Sequence, residues 1–140
     1  MNAKTRAYTL LWLDKAANDL KNAEIILAAS AEFPPLDTVC FHCQQAAEKY
    51  IKAFLVYHGK KFPFSHNLAD LVVICMQVDL AFASIQRKAE TLTPFAVEIR
   101  YPDDFYMPTR EEADEAFAIA TEIKKFVVTK LGNIFDNQDA

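Results

Sequence analysis

Three groups of residues in this chain have types and spacings that bear on chemistry. In the first, Cys40-Phe41-His42-Cys43 sets two thiols one helical turn apart beside an imidazole, with His58 and His66 further along. A zinc site needs four ligands converging tetrahedrally. Cys40 and Cys43 share a face if the segment is helical, but His42 points elsewhere and His58 lies about 22 Å further along the axis. Free cysteines are among the most buried residue types, so two small apolar core positions are the simpler account, and no metal is expected. A Cys-His nucleophile pair lacks a third residue to orient it.

The lysines form the second group. Lys49 and Lys52 are three apart, hence neighbours on one helix face, and Lys60 and Lys61 follow just past that helix. One reading is a solvated face with favourable charge at a helix C-terminus. The other is a modest phosphate site, in which Lys49 and Lys52 are second-rank ligands. The third group is Glu98-Ile99-Arg100-Tyr101-Pro102-Asp103-Asp104-Phe105-Tyr106-Met107-Pro108, which crowds aromatics, prolines, an arginine and paired carboxylates into one short connection. An ordinary turn between helices uses Gly, Asn or Ser. Arg100 has a planar fork suited to phosphate, Asp103 and Asp104 are placed to orient it or hold the loop, and Tyr101 and Tyr106 offer rings to stack. An Arg-Asp pair that merely pins the loop to its scaffold is the competing account.

The elements that must position these residues are helices. Trp12, Ala16, Leu20, Ala23 and Leu27 recur at helical spacing in a segment expected from Tyr8 to Ser30, ended by Phe33-Pro34-Pro35. Val39, Cys43, Ala46, Ala47, Tyr50, Ile51, Phe54 and Leu55 make a broad stripe from Asp37 to His58, closed by Gly59. A third helix starts near Ser65 or His66, where His66 is expected to make a structural bond. A fourth runs from Phe82 to Ile99 with a bend at Pro94, and Pro102 biases Tyr101 away from helix, so Arg100 falls at its end. A fifth opens at Thr109, whose partner Glu112 completes a capping box. No stretch alternates as a strand does. The fold class is therefore all-α, an up-and-down bundle of four or five helices forming a single domain over residues 1–140, with its core from about 8 to 130 and a frayed tail over 133–140.

Composition excludes several classes of function. Gly59 and Gly132 are the only glycines, too few for a glycine-rich phosphate loop. The net charge of −4 confines any nucleic-acid contact to a local patch. No apolar run is long enough to span a bilayer, so no membrane partner is expected. Charges soon after Trp12 interrupt any leader core, and three cysteines fit a reducing compartment, so a cytoplasmic location is expected.

The segments Cys43-Gln44-Gln45-Ala46-Ala47-Glu48-Lys49-Tyr50-Ile51-Lys52-Ala53-Phe54-Leu55, Ser65-His66-Asn67-Leu68-Ala69-Asp70-Leu71 and Arg100-Tyr101-Pro102-Asp103 together resemble the HEPN domain (higher eukaryotes and prokaryotes nucleotide-binding). The resemblance spans about Tyr8 to Lys130. It implies a bundle that is usually a homodimer, often partnered with a minimal nucleotidyltransferase in prokaryotic toxin-antitoxin pairs. Ribonuclease members carry an Arg, a polar residue and then a His four to six residues after the Arg. Arg100 matches that Arg. Tyr101 stands where the polar residue belongs, Phe105, Tyr106 and Met107 occupy the window of the His, and no histidine follows His66. Such cleavage uses the Arg to stabilise phosphate charge and the His to move a proton. A domain that binds a nucleotide or RNA phosphate without strong catalysis and without a cofactor is the expectation. The alternatives are a divergent ribonuclease using Arg100 with Tyr106 or Asp104, and a purely structural interaction module.

Overall fold

A computed structural model describes residues 2–96, 102–104, 106–132 and 134; Arg100 and Tyr101 lie outside this set. The described residues form five α-helices joined by turns and short 3-10 segments, with no strand among them. Helix α1 (Ala3–Ala28) starts five residues before the expected Tyr8, because the Asn2 side chain accepts from the Thr5 N–H at 2.8 Å and caps the end. It stops where Ala29 turns extended, ahead of Phe33-Pro34-Pro35. Helix α2 (Leu36–Tyr57) follows at once, and Gly59 at φ 66° lets the chain leave it in the left-handed conformation.

Helix α2 is the centre of the bundle, flanked by α1 and by α5 (Arg110–Leu131) and also touched by the shorter helices. Its whole expected stripe is buried, and Ala46, Ala47 and Ala53 are small enough to let neighbouring helices approach closely. Phe54 packs on Phe82 at 4.4 Å between ring centroids, and Phe82 meets Phe126 of α5 edge-on at 4.9 Å. These rings lock three elements through large buried surfaces.

The third and fourth helices differ from expectation for local reasons. Helix α3 (Leu68–Met76) begins after His66, since Asn67 is its cap and accepts from the Asp70 N–H at 3.1 Å. The stretch expected as one bent helix from Phe82 to Ile99 is divided instead. A 3-10 run covers Leu80–Ile85, α4 covers Gln86–Leu92, and a second 3-10 run covers Thr93–Ala96. Pro94 has no N–H to continue the ladder, and Thr93 already bonds back to the Glu90 carbonyl at 3-10 spacing. Residues 97–99 of that stretch lie outside the described set.

At α5 the sequence signal and the geometry agree. Thr109 accepts from the Glu112 N–H at 3.1 Å, and the Glu112 carboxylate accepts from the Thr109 N–H at 2.9 Å. Past Gly132 the chain stays packed for at least one residue of the stretch expected to fray, because Ile134 is buried in the core. The rest of 133–140 lies outside the described residues. Among the described residues no helix is long and apolar enough to cross a membrane.

Candidate functional site

The capping box brings Tyr106 into the first candidate site. Glu112 Oε1 accepts from the Tyr106 hydroxyl at 2.5 Å as well as from the Thr109 N–H, so one carboxylate fastens both the helix start and the segment leading into it. The two donors hold the Glu112 carboxyl below its ordinary range, the Thr109 N–H foremost. The reciprocal hydrogen bond to Glu112 raises the Tyr106 phenol above its ordinary value of 10. Tyr106 is therefore protonated and engaged as a donor at neutral pH.

Beside this pair lies a cleft of about 360 Å³ between the start of α2, the end of α4 and the start of α5. Phe41, Phe95 and Tyr106 supply rings, Asp37, Glu112 and Glu115 supply carboxylates, and Thr38 and Thr91 supply hydroxyls. That volume sits at the lower end of small-molecule sites. Flat apolar walls with acceptors at the rim suit a planar ligand that presents N–H groups. Asp103 is exposed on the single 3-10 turn Pro102–Asp104, and the side chain of Asp104 is not among those described.

A second cluster runs along α2. Glu48 is buried, yet it accepts from Lys52 Nζ at 2.8 Å, His66 Nδ1 at 2.9 Å and Gln44 Nε2 at 3.1 Å. Burial alone would raise the Glu48 carboxyl, but the hydrogen bonds from Lys52, His66 and Gln44 more than reverse that and hold it low. Gln44 is completed by Gln45, which donates to its Oε1 at 2.6 Å, and by the His66 carbonyl, which accepts from it at 3.3 Å. One layer along, Asp19 of α1 receives both the ammonium of Lys49 and Nδ1 of His42, the latter at 2.9 Å.

Lys49 and Lys52 thus do not stand together on a solvated face. Lys52 is 6% exposed, with its charge matched by Glu48 and its ammonium over the rings of Trp12 and Phe62 at 5.8 and 5.4 Å. Lys49 is tied to Asp19. The expected structural bond of His66 is present, made across to α2 from just outside α3. Glu48 and Gln44 are functional-site residues not expected from the sequence, although Gln44, Glu48 and Lys52 at four-residue spacing mark a polar line inside an otherwise apolar stripe.

Cys40, Cys43 and Cys75 are fully buried, and burial pushes all three thiols up to about 12. Such thiols are inert core groups, not nucleophiles. Among the described residues, no three of His, Cys, Asp and Glu are grouped as a metal would require.

A five-helix bundle with a buried polar line on its central helix and a cleft between the starts of two helices defines a class that the family comparison makes explicit. The family model for the HEPN domain matches residues 9–131, nearly the whole chain, and the chain belongs to that family. The fold is shared with TT1696 from Thermus thermophilus, at TM-score 0.68 and 28% identity over 87% of this chain and 97% of that one. It is shared equally with ST0689, an archaeal HEPN homologue, at TM-score 0.68 and 26% identity over 88% and 97%. No curated protein matches the chain.

Proposed function

We propose that this HEPN domain binds a nucleotide or the phosphate of an RNA without strong catalysis of its own. The observation that carries the reading is the cleft of Phe41, Phe95, Tyr106 and the carboxylates Asp37 and Glu115, in which Phe95 and Tyr106 come from either side of Arg100 in the sequence. In this arrangement a base enters between the rings, its N–H edge meets the carboxylates, and Arg100 takes the phosphate in a bidentate contact. Asp103 and Asp104 orient the arginine, and Tyr101 covers the ligand. Since Lys49 and Lys52 already have internal partners, Arg100 supplies the cationic contact.

The engagement of the Tyr106 hydroxyl by Glu112 supports binding over cleavage. A phenol raised above its ordinary value is a poor proton acceptor at neutral pH, and no histidine follows His66 in the chain. As the family setting we propose a cytoplasmic homodimer that partners a minimal nucleotidyltransferase in a toxin-antitoxin-type pair. The test is a thermal shift with ATP, GTP and short RNA, because a ligand that binds only the folded chain raises its midpoint. A rise abolished in Arg100→Ala supports the reading. No rise with any of them favours a purely structural module. Cleavage of mixed RNA by the purified chain, lost in Arg100→Ala, establishes the divergent ribonuclease instead.

A further inference from the structure

The connection between α2 and α3 contains the features that the cleft leaves unused. Around Pro63 it turns one aromatic inward and the next outward. Phe62 packs half-buried against Trp12, with ring centroids 6.3 Å apart, whereas Phe64 is fully exposed. Lys61 is exposed beside it, and Lys60 is half-buried at the exit from Gly59. From Lys60 to Ala69 there is no carboxylate, in a chain whose net charge is −4; Asp70 is the first. His66 completes the set. Its Nδ1 is fixed on Glu48 at 2.9 Å, its side chain is 65% exposed, and its Nε2 has no hydrogen-bond partner among the described residues.

Fixing Nδ1 from a buried carboxylate sets the ring's orientation and leaves Nε2 as the group offered to the outside. Glu48 is itself held by Lys52 and Gln44, so the imidazole rests on a preorganised base. An exposed ring flanked by cations and an oriented imidazole is the composition of a single-stranded nucleic-acid contact: the ring stacks on any base, and the cations follow the backbone. An apolar protein partner would ask for a continuous patch, whereas the residues around Phe64 in the sequence include Lys60, Lys61, Ser65 and His66.

The position along α2 connects this loop to the cleft. Phe41 lines the cleft and Glu48 anchors His66, seven residues on and therefore about 10 Å along the helix axis. We infer that the α2–α3 connection is a second contact for a single-stranded RNA whose terminal or flipped base occupies the cleft. Phe64 stacks on a base and Lys61 contacts a backbone phosphate, while the Nε2 of His66, an acceptor when Nδ1 donates to Glu48, receives a ribose 2′-hydroxyl. The inference rests on the nucleotide reading for the ligand's class and narrows that class from free nucleotide to strand.

Two measurements separate the two readings. The first is fluorescence anisotropy of a labelled oligouridine of about twelve nucleotides with the full chain, across a salt series. The second is the thermal shift given by AMP and GMP. The expected result is saturable oligomer binding that weakens as salt rises. Phe64→Ala, Lys61→Glu and His66→Gln are each expected to weaken it about fivefold or more, with mononucleotide shifts like the parent's. Phe64 and Lys61 are exposed, so these two variants fold as the parent does, and circular dichroism checks it. Oligomer binding equal to the parent's in all three variants overturns the loop contact, as does a parent that binds no oligomer. If Phe64→Ala alters only the sedimentation of the chain, the surface joins two copies and the RNA assignment is overturned. Loss of the mononucleotide shift alone counts against the cleft, and the loop variants still decide the strand.

Discussion

His66 Nδ1 lies 2.9 Å from Oε1 of Glu48, a bond between an exposed imidazole and a carboxylate buried in the middle of the central helix. Through it, a surface loop is tied to the same group that neutralises Lys52. The energetics of that group can be tested directly.

Replacing Glu48 by leucine leaves the Lys52 ammonium buried without its counter-charge. Breaking a buried pair in this way costs about 3–5 kcal/mol. The double variant Glu48→Leu with Lys52→Met removes both charges, and is expected to recover most of the loss. Urea unfolding of the parent, the single variant and the double variant measures both steps. A single variant as stable as the parent would show that the pair contributes nothing.

Acid should act through the same carboxylate. Glu48 is held below its ordinary value of 4.5 in the folded chain, so its stabilisation is fully present above that value. It is lost as pH falls through the lower folded value, because the folded state then has to take up the proton it resisted. Urea midpoints measured from about pH 6 down to about pH 3 are expected to fall for the parent. In Glu48→Gln the curve starts lower and falls less steeply. Parallel curves would remove Glu48 from the acid response.

The three buried thiols, each pushed up to about 12, should be silent in the folded protein. An aromatic disulfide reagent at pH 8 is expected to release no prompt colour, then three equivalents once urea unfolds the chain. One fast equivalent in native buffer would reveal a thiol more accessible than the packing allows.

At the cleft, ring and hydroxyl are separable. Tyr106→Phe keeps the ring and removes the donor to Glu112, so nucleotide-induced thermal shifts should persist with at most a small loss. Tyr106→Ala removes the stacking surface and should reduce the affinity about fivefold or more, read by titration calorimetry. Equal effects of the two changes would assign the role to the hydroxyl instead.

Much of the bundle was readable because its signals are local. The α2 stripe, the proline pair before it and the Thr109–Glu112 box each lie within one element and fall where expected. The division around α4 was not readable. A proline inside an apolar pattern indicates a disturbance, but whether it bends a helix or tightens it to 3-10 depends on the neighbours. The start of α1 was missed because a lone Asn cap stands ahead of the apolar repeat. The site divided in the same way. Tyr106 stood out in its crowded connection, whereas Phe41 and Asp37 join it only after α2 and α5 pair. Asp19 with Lys49, and Glu48 with His66, are contacts across helices and loops that spacing along the chain does not encode.

Trp12, the chain's single tryptophan, has its indole N–H buried without a hydrogen-bond partner among the described residues, and its ring lies 6.3 Å from that of Phe62 and 5.8 Å from the ammonium of Lys52. Its surroundings are therefore set by Tyr8 on its own helix, by the loop that carries Phe62 and by the Lys52 charge that Glu48 balances. Tryptophan emission of this protein is consequently expected to respond to the seating of the α2–α3 loop through Phe62, with no added label.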